Sequence, residues 1–180
     1  MEDDARAQTA ADRVATEDGK LDILINNAGI PGTYAGPLDE SVDEIRRVYE
    51  VNVFGHIRMS KAFLPLLQAG KAPNIVNVSS GLGSLGWRSD PDNIYFGVNL
   101  LGYNSSKTAL NAVTVSMAKA LGPLGIRVNA ADPGYTKTDF TNHQGHRSVE
   151  EAAEVIVRFA VADASGPTGV FANDGGVLPW

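Results

Sequence analysis

Short apolar runs alternate along this chain with longer amphipathic stretches. The runs Leu21-Asp22-Ile23-Leu24-Ile25-Asn26, Asn74-Ile75-Val76-Asn77-Val78-Ser79 and Ile126-Arg127-Val128-Asn129-Ala130-Ala131 are β-branched and bounded by polar or turn-forming residues. They predict strands at 21–26, 74–79 and 126–131, with a shorter one at 169–172. Between them, 3.6-residue periodicity predicts helices at 4–17, 41–68, 103–121 and 148–162. Ser41-Val42-Asp43-Glu44 is a capping box opening the second helix, and Ser148-Val149-Glu150-Glu151 opens the last. Gly122-Pro123 closes the third. Leu110, Val113, Met117 and Leu121 form an apolar stripe on that helix, expected to face a sheet. Ala109, Ala112, Ser116 and Ala120 form a small-residue stripe beside it, against which another helix could pack closely. Strict strand and helix alternation is the pattern of parallel βαβ units, so the expected class is α/β.

Composition narrows the function. The chain has 180 residues, 43% hydrophobic, enough for one sizeable core, and no repeat or low-complexity linker divides it. One domain over 1–180 is expected. A net charge of −6 offers no electrostatic footprint for nucleic acid or an anionic membrane. The chain has no cysteine, which excludes disulfides and thiolate metal sites and fits a cytoplasmic protein. No apolar run reaches membrane-spanning length, and Met1-Glu2-Asp3-Asp4 is unlike a basic signal-peptide start. His56, His143 and His146 lack the spacing and acidic company of a metal site, so none is expected and they read as surface or packing residues.

The candidate chemistry centres on Tyr103-Asn104-Ser105-Ser106-Lys107. Four residues of helix place the Tyr103 phenol and the Lys107 ammonium on one face. A nearby cation in a half-dry cleft favours phenolate, and lowering a phenol from about 10 to about 7 takes roughly 4 kcal/mol. Such a group could donate a proton to a carbonyl oxygen at neutral pH. The predicted strands carry polar groups to the same edge: Asn26-Asn27-Ala28-Gly29 after the first, Ser79-Ser80-Gly81 after the second and Asp132-Pro133-Gly134 after the third. Open α/β sheets bind ligands at that edge.

From Leu21 onward the chain resembles a short-chain dehydrogenase/reductase. The resemblance rests on Asn26-Asn27-Ala28-Gly29, Asn52, Ser80, Tyr103 with Lys107, and Pro133-Gly134 with Thr138, all in the family's order. It implies a partial Rossmann-like doubly wound parallel sheet, with strands equivalent to the fourth through seventh of the full fold and flanking helices. It also implies hydride transfer between NADP or NAD and a small-molecule carbonyl/alcohol substrate. Ser80 would hydrogen-bond the carbonyl, Tyr103 would protonate it, and Lys107 would lower the Tyr103 pKa and hold the nicotinamide ribose. Asn52 would kink its helix and seat a water linking Lys107 to solvent. Asn27, Ala28 and Gly29 would line the adenosine side, and Pro133, Gly134 and Thr138 the nicotinamide side. Ser79 would satisfy local backbone, and Lys137 and Asp139 would form a solvated turn. Trp87, Tyr95 and Phe96 sit in a long Ser80-to-Tyr103 segment like that of carbonyl-reductase-like members, either lining a substrate pocket or, as the favoured reading, anchoring the segment. Both homodimer and monomer stay open.

The same resemblance calls for a glycine-rich phosphate-binding turn before Gly29, where this chain has only Gly19. The expectation is therefore an amino-terminally truncated domain whose first strand, near 21–26, forms an apolar sheet edge. The alternative is a catalytically inactive binding or regulatory partner derived from such an enzyme.

Overall fold

The computed structural model describes residues 3–180. Helix α1 spans Asp4–Glu17, opened by the Asp3 carboxylate, which accepts from the Ala5 N–H at 2.8 Å. Strand β1 (Ile23–Asn26) follows, then α2 (Val42–Tyr49), capped by Ser41, whose hydroxyl accepts from the Glu44 N–H. Helix α2 continues through a π-helical turn at Glu50–Phe54 into α3 (Gly55–Ala62), and after Phe63 into α4 (Leu64–Gln68). Strand β2 (Asn74–Val78) leads through a 3-10 turn at Gly81–Gly83 and the short α5 (Leu85–Arg88) to α6 (Leu101–Leu121). The chain ends with β3 (Arg127–Ala131), α7 (Val149–Ala160), β4 (Phe171–Asn173) and β5 (Gly176–Val177).

The sheet order is β1-β2-β3-β4-β5. The first four strands are parallel, as the alternation implies, with Ile25 opposite Val76 and Val76 opposite Asn129. Strand β5 departs from that pattern, returning antiparallel to β4 through Asp174-Gly175, where Asn173 Oδ1 accepts the Gly175 N–H. A two-residue strand carries no periodicity, so the sequence pattern could not announce it. The single helix expected at 41–68 is divided for two reasons. Pro65 has no N–H to continue α3, so the helix ends and restarts there. At Asn52 the ladder widens into the π turn, a feature often found at functional sites.

Helices cover both faces. On one, Ala11 of α1, Phe63, Leu66 and Leu67, and Ala118 of α6 pack over Leu24, Ile75 and Val128. On the other, Val155, Phe159 and Ala160 of α7 pack over Val76, Ala131 and Ala172. Strands β2 and β3 are buried along their whole length. Strand β1 is the sheet edge, as expected, and its α7-side residues Ile23 and Ile25 are 37% and 43% exposed.

Helix α6 faces the sheet with its predicted stripe, Met117 and Leu121 packing on the core over Leu24, Ile75 and Val128, but its most buried row lies beside that stripe. Its buried row is Tyr103, Lys107, Leu110, Asn111, Thr114 and Ala118, while Val113, Met117 and Leu121 are only partly buried. The small-residue stripe faces outward, with Ala112, Ser116 and Ala120 exposed. The extra burial beside the stripe is explained by polar bonds to the sheet. Asn77 Nδ2 donates to Thr114 Oγ1 at 2.9 Å, its Oδ1 accepts from Asn26 Nδ2 at 2.9 Å, and Asn26 Nδ2 also donates to Ser60 Oγ at 3.1 Å. One buried ladder thus ties β1, β2, α3 and α6. Replacing Asn77 with Ala removes one hydrogen bond each from buried Asn26 and Thr114, which keep Ser60 and the Leu110 carbonyl as partners, and should cost about 1–3 kcal/mol in chemical denaturation. An unchanged midpoint would show that the ladder is dispensable.

Candidate functional site

Parallel strands end on the same side, so three of them deliver their following residues to one rim. The structure brings together the segment from Asn26 to Ile30 after β1, Ser79 and Ser80 after β2, and the Asp132-Pro133-Gly134 turn after β3. Helix α6 lies across this rim with Tyr103 and Lys107 inward, both buried. The Ser80 side chain stands beside the Tyr103 hydroxyl and favours its ionised form. Lys107 Nζ lies 5.7 Å from the Tyr103 ring centroid and donates to the Val78 carbonyl at 2.8 Å. Serine, phenol and amine are gathered as the spacing predicts.

Their electrostatics differ from expectation. Burial pushes the Tyr103 phenol well above its ordinary range, and the Ser80 side chain only partly offsets it. Burial also pushes Lys107 down to about 8, against the pull of the Asp132 carboxylate. The expected drop of Tyr103 toward neutrality is thus overturned, because the site is dry rather than half-dry and desolvation disfavours both charged forms. Tyr103 holds its proton at neutral pH.

Asn52 is fully buried in the π turn and fastens this rim from the side. Its Oδ1 accepts from the Ile30 N–H at 2.9 Å, while its Nδ2 donates to the Ile30 carbonyl and to Ser106 Oγ, each at 3.0 Å. The side chain therefore clamps the loop after β1 to α6. A Cβ on Gly29 would stand 3.5 Å from Asn52 Oδ1 and 3.6 Å from Lys107 Nζ, which brings this backbone beside the amine. Asn27 and Ala28 are exposed at the same lip, Pro133, Gly134 and Thr138 are half-buried at the opposite one, and Gly134 takes a φ of +72° that favours glycine. Thr138 opens a short 3-10 turn, Asp139–Thr141, whose Phe140 ring lies 5.7 Å from Tyr103. Lys137 and Asp139 are solvent-exposed, as expected.

Several partners escaped the sequence reading. Ser79 Oγ donates to Asn111 Oδ1 at 2.6 Å rather than to backbone, and Asn111 Nδ2 donates to the Gly83 carbonyl at 3.3 Å. Asn111 stands four residues beyond Lys107, so the Tyr103-Lys107 spacing already pointed to it. His56, read only as a surface or packing residue, is buried with Nε2 2.8 Å from the Ala28 carbonyl. A carbonyl only accepts, so Nε2 carries the proton. Trp87 and Tyr95 stack on each other at 5.5 Å and close on Gly81, and Trp87 also packs on Ala130, Phe171 and Leu178, which is the anchoring role. Phe96 is exposed. No metal-binding cluster occurs and no helix is long and apolar enough to cross a membrane among the described residues.

The model of the short chain dehydrogenase family matches residues 1–148. The short-chain dehydrogenase anuI of Penicillium roqueforti is 42% identical over 164 residues, covering 89% of this chain and 65% of that protein. The (+)-neomenthol dehydrogenase of Arabidopsis thaliana is 34% identical over 220 residues, covering 94% of this chain and 74% of that protein. Among solved structures, NADPH-bound carbonyl reductase from chicken fatty liver matches with a TM-score of 0.86 at 28% identity, over 99% of this chain and 74% of that one. The chain thus spans 65% of the length of the Penicillium protein and 74% of the other two.

The buried ring of His56 gives a pH signature. Burial and the neighbouring Lys107 push it down from 6.5 to about 4. Above pH 6.5 the ring is neutral in both folded and unfolded chains and contributes no pH dependence. Below that the unfolded chain binds a proton that the folded one refuses, so stability falls toward pH 4 by about 3 kcal/mol. Denaturation at pH 7 and pH 5 should show a shallower acid loss in H56Q than in the parent. Equal losses would contradict the assignment.

Proposed function

Because this chain belongs to the short chain dehydrogenase family, we propose that its rim of Ser80, Tyr103 and Lys107 serves hydride exchange between a nicotinamide dinucleotide, NADP or NAD, and a small carbonyl/alcohol pair. The observation that carries this reading is the buried Tyr103, with Ser80 beside its hydroxyl and Lys107 Nζ 5.7 Å from its ring centroid. The residues present suit the nicotinamide half of such a cofactor. Lys107 Nζ spends one of three donors on Val78 and keeps capacity for ribose hydroxyls, while Gly29 gives the backbone a close approach beside it. Bound nicotinamide dinucleotide supplies the hydride in reduction and accepts it in oxidation.

The chain's own groups handle orientation and the proton. Ser80 Oγ donates to the carbonyl oxygen and fixes it beside Tyr103 Oη. In reduction, Tyr103 Oη gives its proton to that oxygen as the carbonyl carbon gains the hydride. Lys107 as an ammonium stabilises the phenolate that remains. At neutral pH the phenol arrives at the reaction carrying the proton that reduction consumes, and burial makes Lys107 all the more necessary for releasing it. Phe140 beside Tyr103 gives the rim an apolar wall, and the Asn52 clamp holds the loop after β1 in place.

Y103F should fold normally and lower kcat/KM for ketone reduction by on the order of 10²–10⁴-fold, measured by consumption of reduced cofactor. Retained activity in Y103F, or no turnover of any ketone or alcohol by the parent, would overturn the reading. The pH profile gives an independent check. Lys107 is charged below about 8, so reduction should slow as pH rises through that value. In K107M this limb should vanish along with most of the rate.

A further inference from the structure

The most deeply placed carboxylate of the rim has no part in the mechanism above. Asp132 follows β3 directly and is 2% exposed. Its backbone N–H continues the ladder to the Ala172 carbonyl at 2.9 Å, which sets the side chain at the end of two adjacent strands. Oδ1 accepts the Gly134 N–H at 3.0 Å and so closes the Pro133–Gly134 turn. From the neighbouring strand end, the Gly81 N–H also points at this carboxylate, one residue beyond Ser80, and so does the side chain of Asn173. Asn173 Oδ1 is occupied by the Gly175 N–H, leaving its amide to face Asp132. Oδ2 is nevertheless buried without a hydrogen bond of normal geometry. A fully buried carboxylate with spare acceptor capacity is costly to fold, and a neutral residue at this site would avoid the cost.

We propose that Asp132 is a positioning residue of the rim, its carboxylate tying the turn after Ser80 to the Pro133–Gly134 turn and standing as the counter-charge behind Tyr103 and Lys107. The proposal rests on the functional reading above for its consequence, but not for its geometry. The groups that face Asp132 come from every neighbouring element. Helix α6 contributes Tyr103 and Lys107, the loop after α5 contributes Tyr95, β4 contributes Asn173, and the segment before α7 contributes Arg147. Arg147 lies with its Cδ against Gly134, and it is itself paired with Asp174 at 2.7 Å and with the Glu151 carbonyl at 2.9 Å. Burial dominates and holds the Asp132 carboxyl above its ordinary value, while Gly134, Gly81, Asn173 and Arg147 oppose that shift without cancelling it.

In the proposed ionised form Asp132 acts on both neighbours. It holds the proton on Lys107, opposing the loss that burial alone would cause, and it discourages phenolate on Tyr103. That charge favours the ammonium, whose one hydrogen-bond acceptor among the described residues is the Val78 carbonyl. Asp132 touches neither substrate nor cofactor in this account. It acts through the groups that do.

Three measurements test this. In the unaltered protein, a carbon-13 titration of the aspartate carboxyls, with Asp132 assigned from D132N, should show it ionised at pH 7. Lysine side-chain NMR, with Lys107 assigned from K107M, should show the Lys107 titration in D132N moved to lower pH by about one unit. D132S, which keeps a hydroxyl acceptor for the Gly134 N–H but no charge, should give the same displacement. The alkaline limb of kcat/KM should move with it, an outcome that a purely structural Asp132 would not produce. A protonated Asp132 at pH 7, or a Lys107 titration unchanged in both variants, would overturn the proposal. Neither NMR readout requires turnover, so failure of the dehydrogenase reading would appear as displaced titrations without activity.

Discussion

The arrangement depends on how α6 is fastened to the carboxyl end of β2. Four side chains of the helix reach the strand or the turn that follows it: Lys107 to the Val78 carbonyl, Thr108 and Asn111 to the Gly83 carbonyl, and Thr114 to Asn77, with Asn111 also receiving Ser79. Apolar packing by Leu110 and Ala118 would hold the helix on the sheet but would tolerate rotation or sliding. The polar bonds are directional, so they fix the angle at which Tyr103 meets Ser80. A Cβ on Gly83 would stand 2.8 Å from the Lys107 carbonyl carbon, so the turn and the helix touch backbone to backbone. The rim is therefore a product of register along β2 and phase along α6.

Dryness is the second consequence of that close fastening. A phenol and an amine sealed under a helix both resist ionisation, and the field of one cannot overcome the desolvation of the other. The result is a proton held on Tyr103 and an amine pushed down to about 8. In a half-exposed cleft the same two residues would behave in the opposite way. The electrostatic character of the site thus follows from packing more than from the identity of the pair.

Much of this was legible in the residues and some was not. Strands β1, β2 and β3 announce themselves as apolar runs, and their parallel arrangement follows from the helices between them. Tyr103, Lys107, Ser80 and Asn52 stand at recognisable spacing, and the structure places them around one rim. The apolar stripe of α6 was legible, with Leu110, Met117 and Leu121 on the core, but the buried row beside it was not, because it includes Asn111 and Thr114, whose partners lie on a distant strand or the turn after it. Hydropathy cannot register a buried amide that is satisfied by another one. Asp132 escaped for a similar reason, since a charged residue before Pro-Gly looks like turn chemistry until its burial is known. Pro65 was present in the sequence, but its power to divide the 41–68 helix was outweighed by the continuous periodicity around it. The open edge at β1 was read correctly, because Ile23 and Ile25 sit on the face that α7 covers only in part.

The central claim is that a buried amine at the end of β2 marks the nicotinamide side of a cofactor site. Titration of reduced nicotinamide dinucleotide into the purified chain, followed by the fluorescence of the dinucleotide, addresses it directly. The account predicts saturable enhancement with the unaltered chain and at least about tenfold weaker binding when Lys107 is replaced by Met, the loss of one charge-assisted contact. Equal affinity in the two proteins, or no saturation in either, would contradict it.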